Sequence, residues 1–382
     1  MSTVCDGRYA ALVGRRFHFH SCRHRTARFA SLLKAVAWKC FYTFALLFLL
    51  LATASRAADD IFQVVRVSDG VYAAIARPTF RLNCNAAIIV QDDGVVVVDS
   101  ESIPSAAREV ITAIKRITDK PVKFLVITHF HGDHFQGAQA YLNEWPGVEV
   151  LSSDATRESI AKRGIPRMRR ETLGLPARIE TLKADLQRAS GEKEKAEIQK
   201  NLDQAEAYFS ELKDVQGILP SLTVDRDLTL RSKSHTVQVK WLGLAHTDGD
   251  LFVYVPDAKV LVTGDALHNG TPTLTDASPY EWIRTLDAAE SLDFDTVIGG
   301  HGAVLHGKAM FEVWKQFLTE LMAGVANVAA SGSTLAEARQ TLAPALIAKY
   351  GQKFESIPAP FSQTVYANID IAFRIVCGRL VK

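Results

Sequence analysis

Cysteine is scarce in this chain: five occur in 382 residues, and three of them, Cys5, Cys22 and Cys40, fall before residue 58. The other two, Cys84 and Cys377, permit at most one disulfide, so a cross-linked small scaffold is excluded. Neither stands in a Cys-x-x-Cys or His-x-x-Cys spacing, which excludes a thiolate metal site and leaves core packing as the expected role of both. Excess charge is missing too. The formal net charge is +2, and residues 1–57 carry nine of the 44 basic side chains against one of the 42 acidic ones, which leaves the remainder at −6. A body with that balance offers no bulk basic surface, so nucleic acid is not an expected partner. There is also no uninterrupted apolar run of the ~20 residues that a spanning helix needs. At 48% hydrophobic and 23% charged residues the chain is neither disordered nor fibrous, and it is long enough for a full core.

The longest apolar stretch, Cys40 to Ala57, follows the basic opening and ends in small residues. Basic, then apolar, then Ser55-Arg56-Ala57 is the order of a signal peptide cleaved before Ala58, which predicts a periplasmic or secreted protein. Left uncleaved, the same segment would anchor the chain to a membrane. The expected organisation is a leader at 1–57, a main domain at 58–310 and a helical segment at 311–382 packed on that domain.

Within the main domain, strands and helices interleave. Apolar runs separated by Ser68-Asp69-Gly70 and Asp92-Asp93-Gly94 turns predict hairpins from Phe62 to Val98. Helices are expected near 106–117, 135–142 and 155–163, with strands at 122–127 and 148–151 between them. Residues 177–214, rich in Leu, Ala, Glu, Lys and Gln, predict an inserted helical hairpin, which could be a solvated pair on the body, a lid or a dimer contact. Strands resume at 222–230, 236–242, 251–255 and 260–262. A helix at 280–292, a strand at 296–298 and helices at 304–328, 335–350 and 361–375 complete a layered α/β pattern.

Histidine, by contrast, is concentrated. Residues 128–134 read Thr128-His129-Phe130-His131-Gly132-Asp133-His134, directly after the apolar run Phe124-Leu125-Val126-Ile127. Imidazole and carboxylate are ligands that divalent zinc accepts, and a rigid strand end can place several at once. Side chains two apart on an extended loop share a face, so His129 and His131 can converge, while Asp133 and His134 follow the turn that Gly132 permits. Further metal-capable groups stand in later turns: His246 in Leu244-Ala245-His246-Thr247-Asp248-Gly249-Asp250, Asp265 after Gly264, and His301 between Gly300 and Gly302.

This order resembles the metallo-β-lactamase-fold superfamily over roughly Asp59 to His306: HxHxDH, then one His, an Asp after Gly, and a late His in a glycine-flanked turn. The resemblance implies a four-layered αββα sandwich carrying the helical hairpin as an insertion. It implies that His129, His131 and His246 bind one metal, that Asp133, His134 and His301 bind a second, and that Asp265 bridges them. Two zinc ions per chain are expected, with iron or manganese as alternatives. The implied reaction is attack by a hydroxide held between the ions on a small ester, thioester or lactam-type substrate. Asp133 and His268 are the candidate catalytic groups, His268 as a substrate contact or proton donor, and Asp99 is expected to orient a ligand histidine. Asp265 favours the hydroxyacylglutathione hydrolase and lactonase branches, because zinc β-lactamases typically carry Cys or Ser there. Weak activity on β-lactams is one alternative; a non-catalytic, metal-stabilised periplasmic binding or scaffold protein is the other.

Overall fold

Every side chain of Val95-Val96-Val97-Val98 is buried, which a strand achieves only when both of its faces are covered. Val95 and Val97 pack against helices, while Val96 and Val98 pack against a second sheet. The same alternation recurs at Leu251–Val255, where Leu251, Val253 and Val255 join the inter-sheet core and Phe252 and Tyr254 face helices on the far side. Two sheets back to back, each with a helical layer outside, follow from that pattern.

The structure, a computed structural model, describes residues 61–79, 82–357 and 359–378. The leader expected at 1–57, its cleavage before Ala58, and Asp59 lie outside the described residues. Among the described residues no helix is long and apolar enough to cross a membrane.

The first sheet runs in spatial order β1 Phe62–Ser68, β2 Val71–Ala76, β3 Ala86–Val90, β4 Val95–Val98, β5 Val122–Val126, β6 Glu149–Ser153 and β7 Leu222–Val224. It is antiparallel up to β4 and parallel from β4 onward. The second holds β8 Asp227–Leu230, β9 Val237–Trp241, β10 Leu251–Val255, β11 Val260–Gly264, β12 Thr296–Gly299 and β13 Leu305–His306, with β11 and β12 its one parallel pair. Over the first sheet lies α1, Pro104–Ile117, whose Ala106, Ala107, Val110, Ile111 and Ile114 form the buried stripe of an amphipathic helix. Short helices α2 Gly132–Phe135, α3 Ala138–Glu144 and α4 Asp154–Ser159 follow, then the hairpin of α5 Ile165–Arg188 and α6 Glu192–Leu212. Over the second sheet lie α7 Pro279–Glu290, α8 Ala309–Ala330, α9 Leu335–Tyr350 and α10 Phe361–Val376. Trp314 of α8, Leu346 of α9 and Val365 of α10 share one core with Phe252, Leu261 and Val297. The fold is the expected four-layered αββα sandwich.

Several expected elements differ in detail. The single strand read at 222–230 is two strands in different sheets, because the chain turns at Asp225-Arg226 and crosses between layers. The hairpin's first helix starts at Ile165 rather than 177 and runs through Pro176. It is joined to α4 by a π-helical turn, Ile160–Gly164, in place of a helix end near 163. The helix read from 304 begins at Ala309: Leu305 and His306 pair with Val297 and Thr296 as β13, and Gly307 at φ +69° breaks the chain direction. Cys84 is buried and Cys377 exposed, and both are free thiols.

Candidate metal centre

The ligand candidates stand on loops at one edge of the sandwich. Strands β5, β11 and β12 deliver His129 and His131, Asp265, and His301 just past their carboxyl ends, and the turn before β10 delivers His246. Gly132 has an ordinary negative φ and opens α2, with His131 at the N-cap. The start of a helix, not a glycine-only turn, therefore swings Asp133 and His134 away from His129 and His131. Glycine is required instead at Gly264, with φ +50°, and at Gly300, where a Cβ would collide with Asp265 Oδ1.

All seven residues come together in two groups. His129, His131, His246 and Asp265 offer ligand atoms that all lie within 4.8 Å of one another, and so do Asp133, His134 and His301. Asp265 faces both. Its Oδ2 is 3.9 Å from His129 Nε2 and 3.7 Å from His246 Nε2, while its Oδ1 is 3.4 Å from both His134 Nε2 and His301 Nε2. Asp133 Oδ2 lies 3.2 Å from His301 Nε2 and 3.6 Å from His134 Nε2.

Surrounding groups fix the ring orientations. His134 Nδ1–H donates to Asp99 Oδ2 at 2.8 Å. Thr128 Oγ1 donates to the same carboxylate and stands 3.1 Å from His129 Nδ1, whose proton it accepts. Asp99 thus turns Nε2 of one histidine from each group inward, directly for His134 and through Thr128 for His129. His131 Nε2–H donates to Asp276 Oδ2 at 2.9 Å, which leaves Nδ1 pointing at His246 Nε2, 3.0 Å away. The turn carrying His246 is braced by Asp250, which accepts from Thr247 N–H at 2.7 Å and from Thr247 Oγ1 at 2.9 Å. The turn carrying His301 is held by Asn85, whose Nδ2 donates to the carbonyls of Gly299 and Gly302 at 2.9 and 2.8 Å.

Electrostatically the groups are unlike. Burial pulls the His129 imidazole well below the usual histidine range, helped by His134 and His131, and pulls His246 down to about 3. In the other group burial is overruled by carboxylates: Asp99, Asp265 and Asp133 hold His134 well above its usual range, and Asp265 and Asp133 raise His301 to about 9. Reciprocally, and against burial, His134 and His301 bring Asp133 down to about 2 and hold Asp265 well below the usual carboxylate range.

A cation pair fits these donors. His129 Nε2, His134 Nε2 and Asp265 Oδ1 are buried without a hydrogen-bond partner, a costly arrangement for polar atoms unless a further group engages them. The donor set is nitrogen and oxygen only. Cys84 stands with Asp99 behind His134, and burial keeps its thiol protonated.

His268, expected as a substrate contact or proton donor, is 3% exposed and accepts from Gly270 N–H at Nδ1 (2.8 Å). Its ring packs edge-on against His301 and Trp314, and burial brings it down to about 4, so near neutral pH it is a neutral imidazole whose remaining N–H is at Nε2. Sequence reading also missed Asp276 and Asn85, single polar residues in loops with no local pattern to distinguish them. Two cavities flank the centre and share Leu82. One of about 450 Å³ is lined by His131, Asp133, Arg167 and Glu171; the other, of about 530 Å³, is lined by His301, Asn83, Arg77 and Glu355.

A sequence profile described as "Metallo-beta-lactamase superfamily" matches residues 79–301. Over 239 residues the chain is 22% identical to a linear primary-alkylsulfatase of Pseudomonas sp. (strain ATCC 19151), covering 59% of this chain and 42% of that protein. Over 78 residues it is 36% identical to a hydroxyacylglutathione hydrolase of Xanthomonas oryzae pv. oryzae (strain MAFF 311018), covering 20% of this chain and 29% of that one. The chain thus spans less than half the length of either relative. Among solved structures it is similar to a stereoselective inverting sec-alkylsulfatase from Pseudomonas sp., with a TM-score of 0.61, 16% identity, and coverage of 82% of this chain and 50% of the other. That likeness is one of fold.

Proposed function

The chain belongs to the metallo-beta-lactamase superfamily, and we propose that it is an exported hydrolase that holds two zinc ions and cleaves a small ester, thioester or lactam-type substrate. One observation carries the reading: Asp265 turns one carboxylate oxygen to each group of ligand candidates. A structural zinc is closed by four ligands of its own, and two groups joined through one carboxylate serve that purpose poorly. This argues against a scaffold role.

His129, His131 and His246 would hold the first ion and Asp133, His134 and His301 the second, with Asp265 between. When bound, such a pair ionises water near neutral pH and polarises the oxygen of an electrophile. The residues keep the centre ready. Asp99, Thr128 and Asp276 fix three ring orientations, and the fully buried His129 and His134 exclude solvent from the inner side. His131 and Asp133 reach the first cavity and His301 the second, so a substrate would approach from that side. Nitrogen and oxygen donors suit zinc, and iron or manganese less specifically.

Similarity to an alkylsulfatase over 239 residues favours a second reading, in which the cleaved bond belongs to a sulfate ester. Export is proposed from the leader pattern at 1–57, and a periplasmic product beginning at Ala58 is its expected result. The decisive experiment assays the zinc-loaded protein on a panel of carboxylic esters, thioesters, lactams, phosphate esters and sulfate esters, beside Asp133→Ala and His246→Ala. Turnover of one class, with a loss of about 10³-fold or more in both folded variants, is expected, since several kcal/mol of stabilisation would vanish. Full activity in both variants overturns the reading.

A further inference from the structure

Asp276, like Asp99, bonds a ligand-candidate histidine directly. It lies in the loop between β11 and α7, far in sequence from His131, and its two oxygens are divided. Oδ2 accepts from His131 Nε2 at 2.9 Å, and Oδ1 pairs with the Arg163 guanidinium. Arg163 belongs to the π-helical turn Ile160–Gly164 that leads into α5, the first helix of the hairpin. The same guanidinium lies 4.3 Å over the Phe130 ring, next to His131 in sequence. Gly164 completes the contact, because a Cβ there would stand 3.0 Å from Phe135 Cε1 and 3.3 Å from the Phe130 carbonyl. The turn is therefore pressed onto the loop that carries His129 and His131. Single π turns inside helices widen the backbone locally and recur at functional sites.

An exposed ion pair adds little stability by itself, and the Arg163 side chain is 49% exposed. What the pair does is geometric. A carboxylate that receives Nε2–H selects the His131 tautomer with a free Nδ1 lone pair, and fixes the plane of the ring. That lone pair points at His246 Nε2, into the first ligand group.

We propose that Asp276, clamped by Arg163, is a positioning residue for His131, and that through it the first metal position depends on the root of the inserted hairpin. The inference rests on the dinuclear reading above. Its test is a chelator-competition titration of zinc into the full chain, parent and variants, with cobalt absorption as a second readout. The parent takes up two equivalents. Asp276→Ala weakens one of them about 10–100-fold, the usual scale for such outer partners, leaves the other unchanged, and shifts the cobalt band of the weakened position. Asp276→Asn, which keeps an oxygen to accept Nε2–H, restores most of the loss. Arg163→Ala gives a smaller loss at the same equivalent. The melting temperature of the metal-free protein stays that of the parent in all three. A parent that takes up fewer than two equivalents overturns the dinuclear reading and the clamp with it. A parent that takes up two, beside an Asp276→Ala variant that holds both as tightly or loses both alike, overturns the clamp alone.

Discussion

The two ligand groups share Asp265 yet solve opposite electrostatic problems. On the His129, His131 and His246 side, burial and mutual repulsion push His129 and His246 toward the neutral form that a metal ligand needs. On the Asp133, His134 and His301 side, carboxylates supply enough negative charge that His134 and His301 retain protons and neutralise their neighbours. The surroundings thus disfavour imidazolium at His129 and His246 and favour it at His134 and His301. Their supports differ in the same sense. Asp99, 1% exposed, reaches a histidine of each group, whereas Asp276 sits at the cavity rim and reaches His131 alone.

The largest expected effect comes from removing what the groups share. Asp265→Ala should lower turnover by about 10³-fold or more and reduce zinc uptake at both positions; metal analysis showing two tightly held equivalents would contradict its place between them. A smaller effect, about 10–100-fold in affinity, is expected of Asp99→Asn. It should weaken both equivalents, in contrast to the one-sided loss expected of Asp276→Ala, and chelator competition separates the two patterns. A further contrast concerns pH. Because His301 titrates near 9 and His134 is held high, zinc uptake on their side displaces protons, so its affinity should climb with pH by about tenfold per unit for each proton displaced. Affinity on the other side, where burial keeps His129 and His246 neutral, should depend much less on pH from about pH 7 upward. Titrations across that range, or calorimetry in buffers of different ionisation enthalpy, give the slopes. Equal slopes would remove the asymmetry.

Much of this was legible before any coordinates. Continuous apolar runs such as Val95–Val98 and Leu251–Val255 announce strands buried on both faces, and turn residues mark the hairpins. The HxHxDH loop, His246, Asp265 and His301 are conspicuous because each is a metal-capable group in a turn beside an apolar segment. Less legible were features that depend on contacts across the chain. Asp225-Arg226 looks like the middle of one strand, and only sheet pairing reveals a crossing between layers. His268 stands three residues beyond Asp265, and only the fold reveals that its ring is buried against Trp314. Asp276 and Asn85 carry no local signal, since their partners lie 145 and more than 200 residues away.

Residue types and their periodicity therefore determined, by themselves, the layered architecture and the chemistry of the centre, because burial patterns and donor atoms are local properties. The convergence of three loops on the carboxylate of a fourth, the ring orientations of His129, His131 and His134, and the opposite pKa shifts of the two groups were decided only in the folded molecule. Those quantities are set by distances and desolvation, which a linear sequence does not contain.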